Sequence, residues 1–332
     1  MTDAAGNVSQ FNYDNADRMI QKIDPLNQTT TYSYDASSNL TAIVDRNGRR
    51  RAFTHDALNR MSAESWFSPT NVLVNQINHS YDGTGNLIGI QDDFSQYSFS
   101  YDVLNRMTQT SNAGTTGLPT VVLTNTFDKV GNRTAVSDQT GVAINSIYDV
   151  RIQLTSRRWS GSSISDARVD FSYNARNERT QTTRFSDLTG ANRVGRTTFA
   201  YTPTGVTSKI THLSAVDAAI VDFDYARDIV DQITSWSHHG KTINYSHDLS
   251  GQLLSADYST TQNDEDFSYD GTGNRTNSGY VTGANNQVLA DSTFDYVYDN
   301  ERNLVRQTVR STGIVTESSF DHRTFIPRQS SP

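Results

Sequence analysis

The 332-residue sequence predicts an all-β fold, a repeat array of about fourteen antiparallel β-hairpins. Three observations carry that expectation. An aromatic residue followed by Asp recurs at intervals of about 24 residues. The residues ahead of each recurrence alternate between apolar and polar, the period of a half-buried strand. Four places after the aromatic stands, in most units, a Gly or Asn, the residue types that tolerate a left-handed backbone in a tight turn.

The repeat is most visible in YDGTGN, which occurs at residues 81–86 and again at 269–274. Aligned on it, fourteen anchors follow one another: Tyr13, Tyr34, His55, Tyr81, Tyr101, Phe127, Tyr148, Tyr173, Tyr201, Arg227, His247, Tyr269, Tyr298 and Phe320. Asp follows twelve of them, and Asn174 and Thr202 are the exceptions. Ahead of the anchors, Tyr97, Phe99 and Tyr101 share one face of a strand, as do Val169, Phe171 and Tyr173, and Phe294, Tyr296 and Tyr298. Four places past the anchor the chain often puts Gly or Asn, as at Asn59, Gly85, Asn105, Gly131, Asn177, Gly205, Gly251 and Gly273. Asn, Arg or Gln commonly comes next, then an apolar residue that opens the second strand, among them Met19, Leu40, Met61, Leu87, Met107, Leu154, Ile233, Leu253 and Leu304. The Asp accepts a bond from the backbone two residues on and the Gly or Asn supplies the left-handed position, so each unit reads as strand, type I turn with G1 bulge, strand. Longer gaps near Asn71, Gly114–Pro119, Ser160–Asp166, Asp187–Arg193 and Asn277–Asn286 are rich in Gly, Ser and Thr and read as loops at the far end of the hairpins. No interdomain linker interrupts them, so residues 1–332 form a single array. An isolated hairpin is marginal in water, so neighbouring units must pair edge to edge and cover one another's aromatic strips.

Composition agrees. Tyr and Phe total 30 against four Met, which suits pleated surfaces with one wet face. A net charge of −8 argues against a phosphate-tracking groove, so no nucleic acid is expected as partner. The one tight basic run, Arg49, Arg50 and Arg51, reads as the solvated flank of a turn. With no cysteine, disulfides, thiolate metal sites and a Cys nucleophile are excluded. No apolar run approaches a membrane-spanning length, and MTDAAGNVSQFNYD lacks the basic and apolar regions of an export signal.

FTHDALNRM (53–61), FSYDVLNRM (99–107) and FSYDGTGNR (267–275) resemble the YD repeat of RHS proteins, bacterial toxin-complex subunits and teneurins. The resemblance covers about residues 2–322. It implies that the hairpins form a spiralling sheet, part of a hollow YD shell that encloses a toxin or effector or serves cell-surface interaction. It further implies a protein that is secreted or cell-surface associated as part of something larger, whereas the missing export signal leads us to expect this chain, expressed alone, in the cytoplasm. Its partners would be further YD repeats or a cargo polypeptide, with a glycan or surface receptor as an alternative. Residues 324–332 depart from the repeat and Met1 opens partway through one, as expected of a fragment of a longer shell. Asp24-Pro25 lies within a repeat and takes no self-cleavage role.

Catalytic, cofactor-binding and metal residues are all expected to be none. Counting from Asp82, the sixth and twelfth positions of a calcium loop would be Leu87 and Asp93, and from Asp270 Arg275 and Val281, where an EF-hand needs Gly and Glu. His238, His239 and His247 form the one histidine cluster, but His247, like His55, occupies an aromatic anchor and reads as part of the strip. His238→Ala is expected to be nearly silent. Trp66, Trp159 and Trp236 lie off the anchors. Packing between strands is the simpler expectation, and stacking on a sugar ring is the glycan-binding alternative.

Overall fold

A computed structural model of the chain describes residues 1–3, 6–259 and 264–320 in full, with the backbone alone at 328–329. Residue contacts group into two compact units, one comprising Met1–Ser95 and Phe267–Pro332, the other Gln96–Asp266. Among the described residues the regular structure is antiparallel strand throughout, apart from one short 3-10 turn at Ala284–Asn286.

The first unit opens with β1 (Gln10–Tyr13), β2 (Met19–Ile23), β3 (Thr29–Tyr34), β4 (Leu40–Val44), β5 (Arg50–His55), β6 (Met61–Phe67), β7 (Leu73–Tyr81) and β8 (Leu87–Gln91). Each pairs with the next in sequence. The second unit continues in the same manner from β9 (Gln96–Tyr101) through β10 (Met107–Ser111), β11 (Val122–Phe127), β12 (Arg133–Asp138), β13 (Ala143–Tyr148), β14 (Leu154–Ser160), β15 (Ala167–Tyr173) and β16 (Arg179–Phe185). It ends with β17 (Arg193–Tyr201), β18 (Thr207–Ser214), β19 (Ala219–Arg227), β20 (Ile233–His238), β21 (Lys241–His247), β22 (Leu253–Tyr258) and β23 (Glu265–Asp266). A last ladder, in the first unit, holds β24 (Val281–Thr282), β25 (Val288–Ala290), β26 (Phe294–Tyr298), β27 (Leu304–Val309), β28 (Val315–Ser319) and β29 (Arg328–Gln329).

The expected turn is present. At Asp82 the backbone N–H bonds to Asn86 O at 3.0 Å, and Gly85 N–H returns to Asp82 O at 3.2 Å. Gly85 has φ +96° and Gly273 φ +86°, so the bulge residue is left-handed as proposed. The strand register skips a residue beside the anchor, as between Ser80 and Tyr81. Every anchor from Tyr13 to Tyr298 carries a positive φ four places on, including Asp17, Ser38, Ile152, Asp231 and Arg302, which are neither Gly nor Asn. The fourteenth anchor, Phe320, is described, but its turn and the departing segment 324–332 lie outside the described residues apart from the 328–329 backbone.

The same turn also closes the opposite end of many hairpins, at Asp24–Gln28, Asp45–Arg49, Ser68–Val72 and Asp138–Val142. Tyr13, Ile23, Tyr34, Val44 and His55 therefore mark a half-repeat of 10 or 11 residues. Turns of this type also form elsewhere without an aromatic anchor. Thr2 bridges Val8 around Asp3 and Gly6, and Thr282 pairs with Val288 around Gly283 and Asn286. The second corrects the reading of Asn277–Asn286 as one far-end loop, because the segment holds strand β24 and the turn that leads into β25. Thr stands for the aromatic and Gly for the Asp, so side-chain identity hid a turn that the backbone keeps.

The core is thin. Phe53, Ala63, Trp66 and Ile77 are buried in the first unit, with Ala290 in the last ladder and Ala256 in the second unit. Thr182, Thr183 and Thr197 are buried on adjacent strands of the second unit, where β-branched residues fit a tightly pleated surface.

Candidate functional site

The densest chemistry lies in the turns. Asp82 Oδ1 accepts the backbone N–H groups of Thr84 and Asn86, each at 2.9 Å, while Oδ2 accepts the Asn86 amide at 2.9 Å. The Asn86 amide, with Thr84 and these backbone donors, outweighs the desolvation that opposes ionisation and holds the Asp82 carboxyl down to about 2. Asp270 repeats the geometry with Thr272 and Asn274, and its carboxyl is lowered for the same reasons. These oxygens are occupied by the protein's own donors, which is the chemistry of a turn.

Where Arg stands in place of Asn, the clasp reaches the next hairpin. Arg60 Nε binds Asp56 Oδ2 at 2.8 Å, its Nη1 donates to Asp82 O at 3.2 Å, and the guanidinium lies 4.6 Å from the Tyr81 ring centre. Arg18 and Arg106 do likewise over Tyr34 and Phe127. The anchors answer in the other direction. Tyr34 Oη donates to Met19 O at 3.0 Å, Tyr81 to Met61 O at 2.8 Å, Tyr173 to Leu154 O at 2.9 Å and Tyr201 to Arg179 O at 2.8 Å. Each acceptor is the first residue of the preceding unit's second strand. Where the anchor is Phe127, Asn125 bonds Met107 O instead, and where it is Arg227 the guanidinium bonds Thr207 O. The lock is conserved in function although its side chain changes.

Within the first unit, turns far apart in sequence meet. Arg46 Nη2 binds Glu301 Oε2 at 3.1 Å and its Nη1 binds Asp24 Oδ2 at 3.2 Å. Asn285 Nδ2 also reaches Asp24 Oδ2 at 3.2 Å, and Asn47 Nδ2 binds Asp299 Oδ2 at 3.1 Å. Asn286 binds Asp3. The Asp24 side chain is only 2% exposed. Burial alone would raise its pKa, but donors from Gln28, Arg46 and Leu26 prevail and lower it. The β24–β27 turns thus form a polar seam against the far-end turns of β1–β5.

The residues singled out from sequence fall as follows. Arg49 is buried against Asp45, Arg50 lies 3.7 Å from the Phe67 ring centre, and Arg51 pairs with Glu64 over Phe53. This corrects the solvated-flank reading, because aromatic and carboxylate neighbours hold all three. Trp66 is buried with its indole N–H on Glu64 at 2.7 Å. Trp159 pairs with Ile144 and Ala167 between strands. Trp236 stacks on His238 at 4.4 Å and on Phe223 at 6.1 Å, so His238 is part of an aromatic stack that sequence alone did not reveal. His239 lies edge-on to His238, while His247 lines a cleft in the second unit. Among the described residues, no three His, Asp or Glu side chains converge as a metal-ligand set, and no helix is long and apolar enough to cross a membrane.

The RHS Repeat family model matches residues 20–49 and 34–65. No curated protein sequence matches the chain. Among solved structures, the TcdB2-TccC3-Cdc42 crystal structure superposes with a TM-score of 0.61 at 14% identity, covering 97% of this chain and 19% of that one. TcdB2-TccC3 gives 0.60 at 15%, covering 99% and 20%. The Photorhabdus luminescens Tc holotoxin pore, carrying a TccC3 mutation, gives 0.59 at 15%, covering 97% and 18%. The chain therefore spans about a fifth of the length of the structures it resembles. Residues 20–65 are thus similar in sequence to the RHS Repeat family, and the whole chain shares the fold of the TcdB2-TccC3 structures.

Proposed function

We propose that the chain is a single array serving as a non-catalytic wall segment of an RHS-type shell, and that the shell encloses a polypeptide cargo. The observation that supports this reading most is the recurrence of the clasp and the tyrosine lock. The same donors and acceptors are spent in unit after unit on joining hairpins, which suits a wall better than a site with one asymmetric constellation. The polar seam at Asp24, Arg46 and Glu301 supports it further, since it lets turns of the array meet other turns of the array. The cargo would belong to the larger protein. Sugar stacking finds no support at Trp66, whose indole is buried and hydrogen-bonded. The test is protease digestion of the product made from its native locus and isolated through a tag on this chain. Enclosure predicts a polypeptide other than the array that survives digestion until the protein is denatured. Complete digestion of everything but the array under native conditions would contradict it.

A further inference from the structure

Charge is divided across the second unit. Residues 151–210 carry ten Lys and Arg against four Asp and Glu, whereas residues 211–266 carry two against ten. One face of the basic part has no carboxylate. Arg157 on β14 stands opposite Val169 on β15, and Val169 opposite Arg184 on β16, so both arginines point to one side of the sheet, two strand spacings or about 10 Å apart. Arg179 lies over the rings of Phe171 and Phe199 on that same side. Asp170, the one acidic residue in β14–β17, faces Ser156 and Thr183 on the other side and pairs with Arg168. Arg176, Arg193 and Arg196 also have carboxylate partners, but among the described residues Arg157, Arg179 and Arg184 have none. Arg184 donates only to Thr197 Oγ1, at 3.0 Å, and the buried Nε of Arg157 has no acceptor.

We infer that this basic face is an interface for a second copy of the chain, whose acidic edge it fits. Asp264-Glu265-Asp266 is the one run of three consecutive acidic residues in the sequence, and Asp257 lies on β22, the strand that pairs with β23 there. All four are exposed. Asp264 accepts the Tyr258 N–H and Glu265 the Tyr258 hydroxyl, neutral donors that leave the charge uncompensated. Seven strand pairings separate β16 from β23, roughly 30 Å along the sheet, which no side chain bridges. The two poles are therefore met between copies, and opposite charge steers their encounter. Three arginines are too few to hold a phosphate backbone, and Arg179 covers rings on which bases would stack, so nucleic acid fits this face less well. Because the two surfaces differ, the contact is head to tail and leaves one free pole at each end. The inference does not depend on the shell reading, since a chain can associate in this way and still fail the protease test.

The test is sedimentation velocity of the 332-residue chain over a range of protein concentrations, at about 50 mM and about 500 mM salt. Association should grow with concentration at low salt and vanish at high salt. Arg157→Glu with Arg184→Glu should be monomeric at low salt, and so should Asp264→Lys with Glu265→Lys. Mixed together, these two variants should form a one-to-one dimer that grows no further, because one keeps the acidic edge and the other the basic face. Arg179→Gln with Arg184→Gln, both exposed, is read in the same way should charge reversal alter the circular dichroism. An unaltered chain that stays monomeric at low salt, association that nuclease abolishes, undiminished association of a folded variant, or a mixture without the dimer would overturn the assignment.

Discussion

Glu301→Ala removes one side of the seam, and its cost can be worked from the geometry. Glu301 Oε1 accepts Arg46 N at 2.5 Å and Nε at 3.2 Å, and Oε2 accepts Nη2 at 3.1 Å. The two side chains are 17% and 15% exposed. Exposed pairs contribute about 0–1 kcal/mol, whereas breaking a buried pair costs about 3–5 kcal/mol. Arg46 keeps Asp24 as a second partner, so we expect about 2 kcal/mol, between those limits. Long repeat arrays need not unfold in one step, which makes a single global unfolding energy the wrong observable. Amide hydrogen exchange resolves the seam directly. The loss should raise opening of the Phe294–Tyr298 and Leu304–Val309 strands about thirtyfold, at 1.4 kcal/mol per decade. Exchange in β15–β18 should stay unchanged. A double-mutant cycle with Arg46→Ala should return a coupling of about 1–2 kcal/mol. A coupling under about 0.5 kcal/mol, or equal acceleration throughout the chain, would refute the idea that these turns hold one another.

Tyr81→Phe removes the hydroxyl that donates to Met61 O and should cost about 1 kcal/mol, read as faster exchange in the β6–β7 pair; an unchanged rate would mean the lock carries no energy. Gly273→Val should cost more than about 1 kcal/mol because φ is +86°, while Gly271→Ala, with nothing within 4 Å of the added Cβ, should leave the melting temperature alone. His238→Ala should cost about 0.5–1.5 kcal/mol through its stack on Trp236, contrary to the silence expected from sequence, and thermal melting decides between them. For acid, the sign is that of a depressed carboxylate. Asp82, held at about 2 against an ordinary value of 3.8, binds fewer protons folded than unfolded. Its contribution is whole above pH ~4 and is lost as pH falls towards 2. Asp82→Asn should flatten the decline of stability in that window, and an unaltered acid titration would count against the clasp.

The turns were legible because they demand particular chemistry. An Asp that caps its own turn and a residue that accepts positive φ leave letters such as YDGTGN, and the strands between them follow from alternation. Ile152 shows where that legibility stops. It is β-branched, yet adopts φ +65° between strands that fix both its ends, and neighbouring pairing overrides its preference. Thr282 and Gly283 show the same for a whole hairpin, whose turn survives without either signature residue. The seam was invisible for a different reason. Arg46 and Glu301 stand 255 residues apart, and the three-dimensional path of the array decides that they meet. His247 was recognisable as an anchor, but the cleft it lines draws side chains from β19 to β22, which only the pairing of those strands brings together.

The central claim is that successive hairpins pair edge to edge in fixed register. Because the chain has no native cysteine, it can be tested by paired substitutions. Ala42 and Ala52 face each other across two hairpins, as do Ala135 and Asn145. Each pair changed to Cys should form an intramolecular disulfide rapidly under mild oxidation, since facing residues lie within bridging distance. Ala42→Cys with Arg51→Cys, one step out of register, should stay largely reduced because alternate side chains point to opposite faces. Equal oxidation of the in-register and slipped pairs, or none in either, would contradict the account.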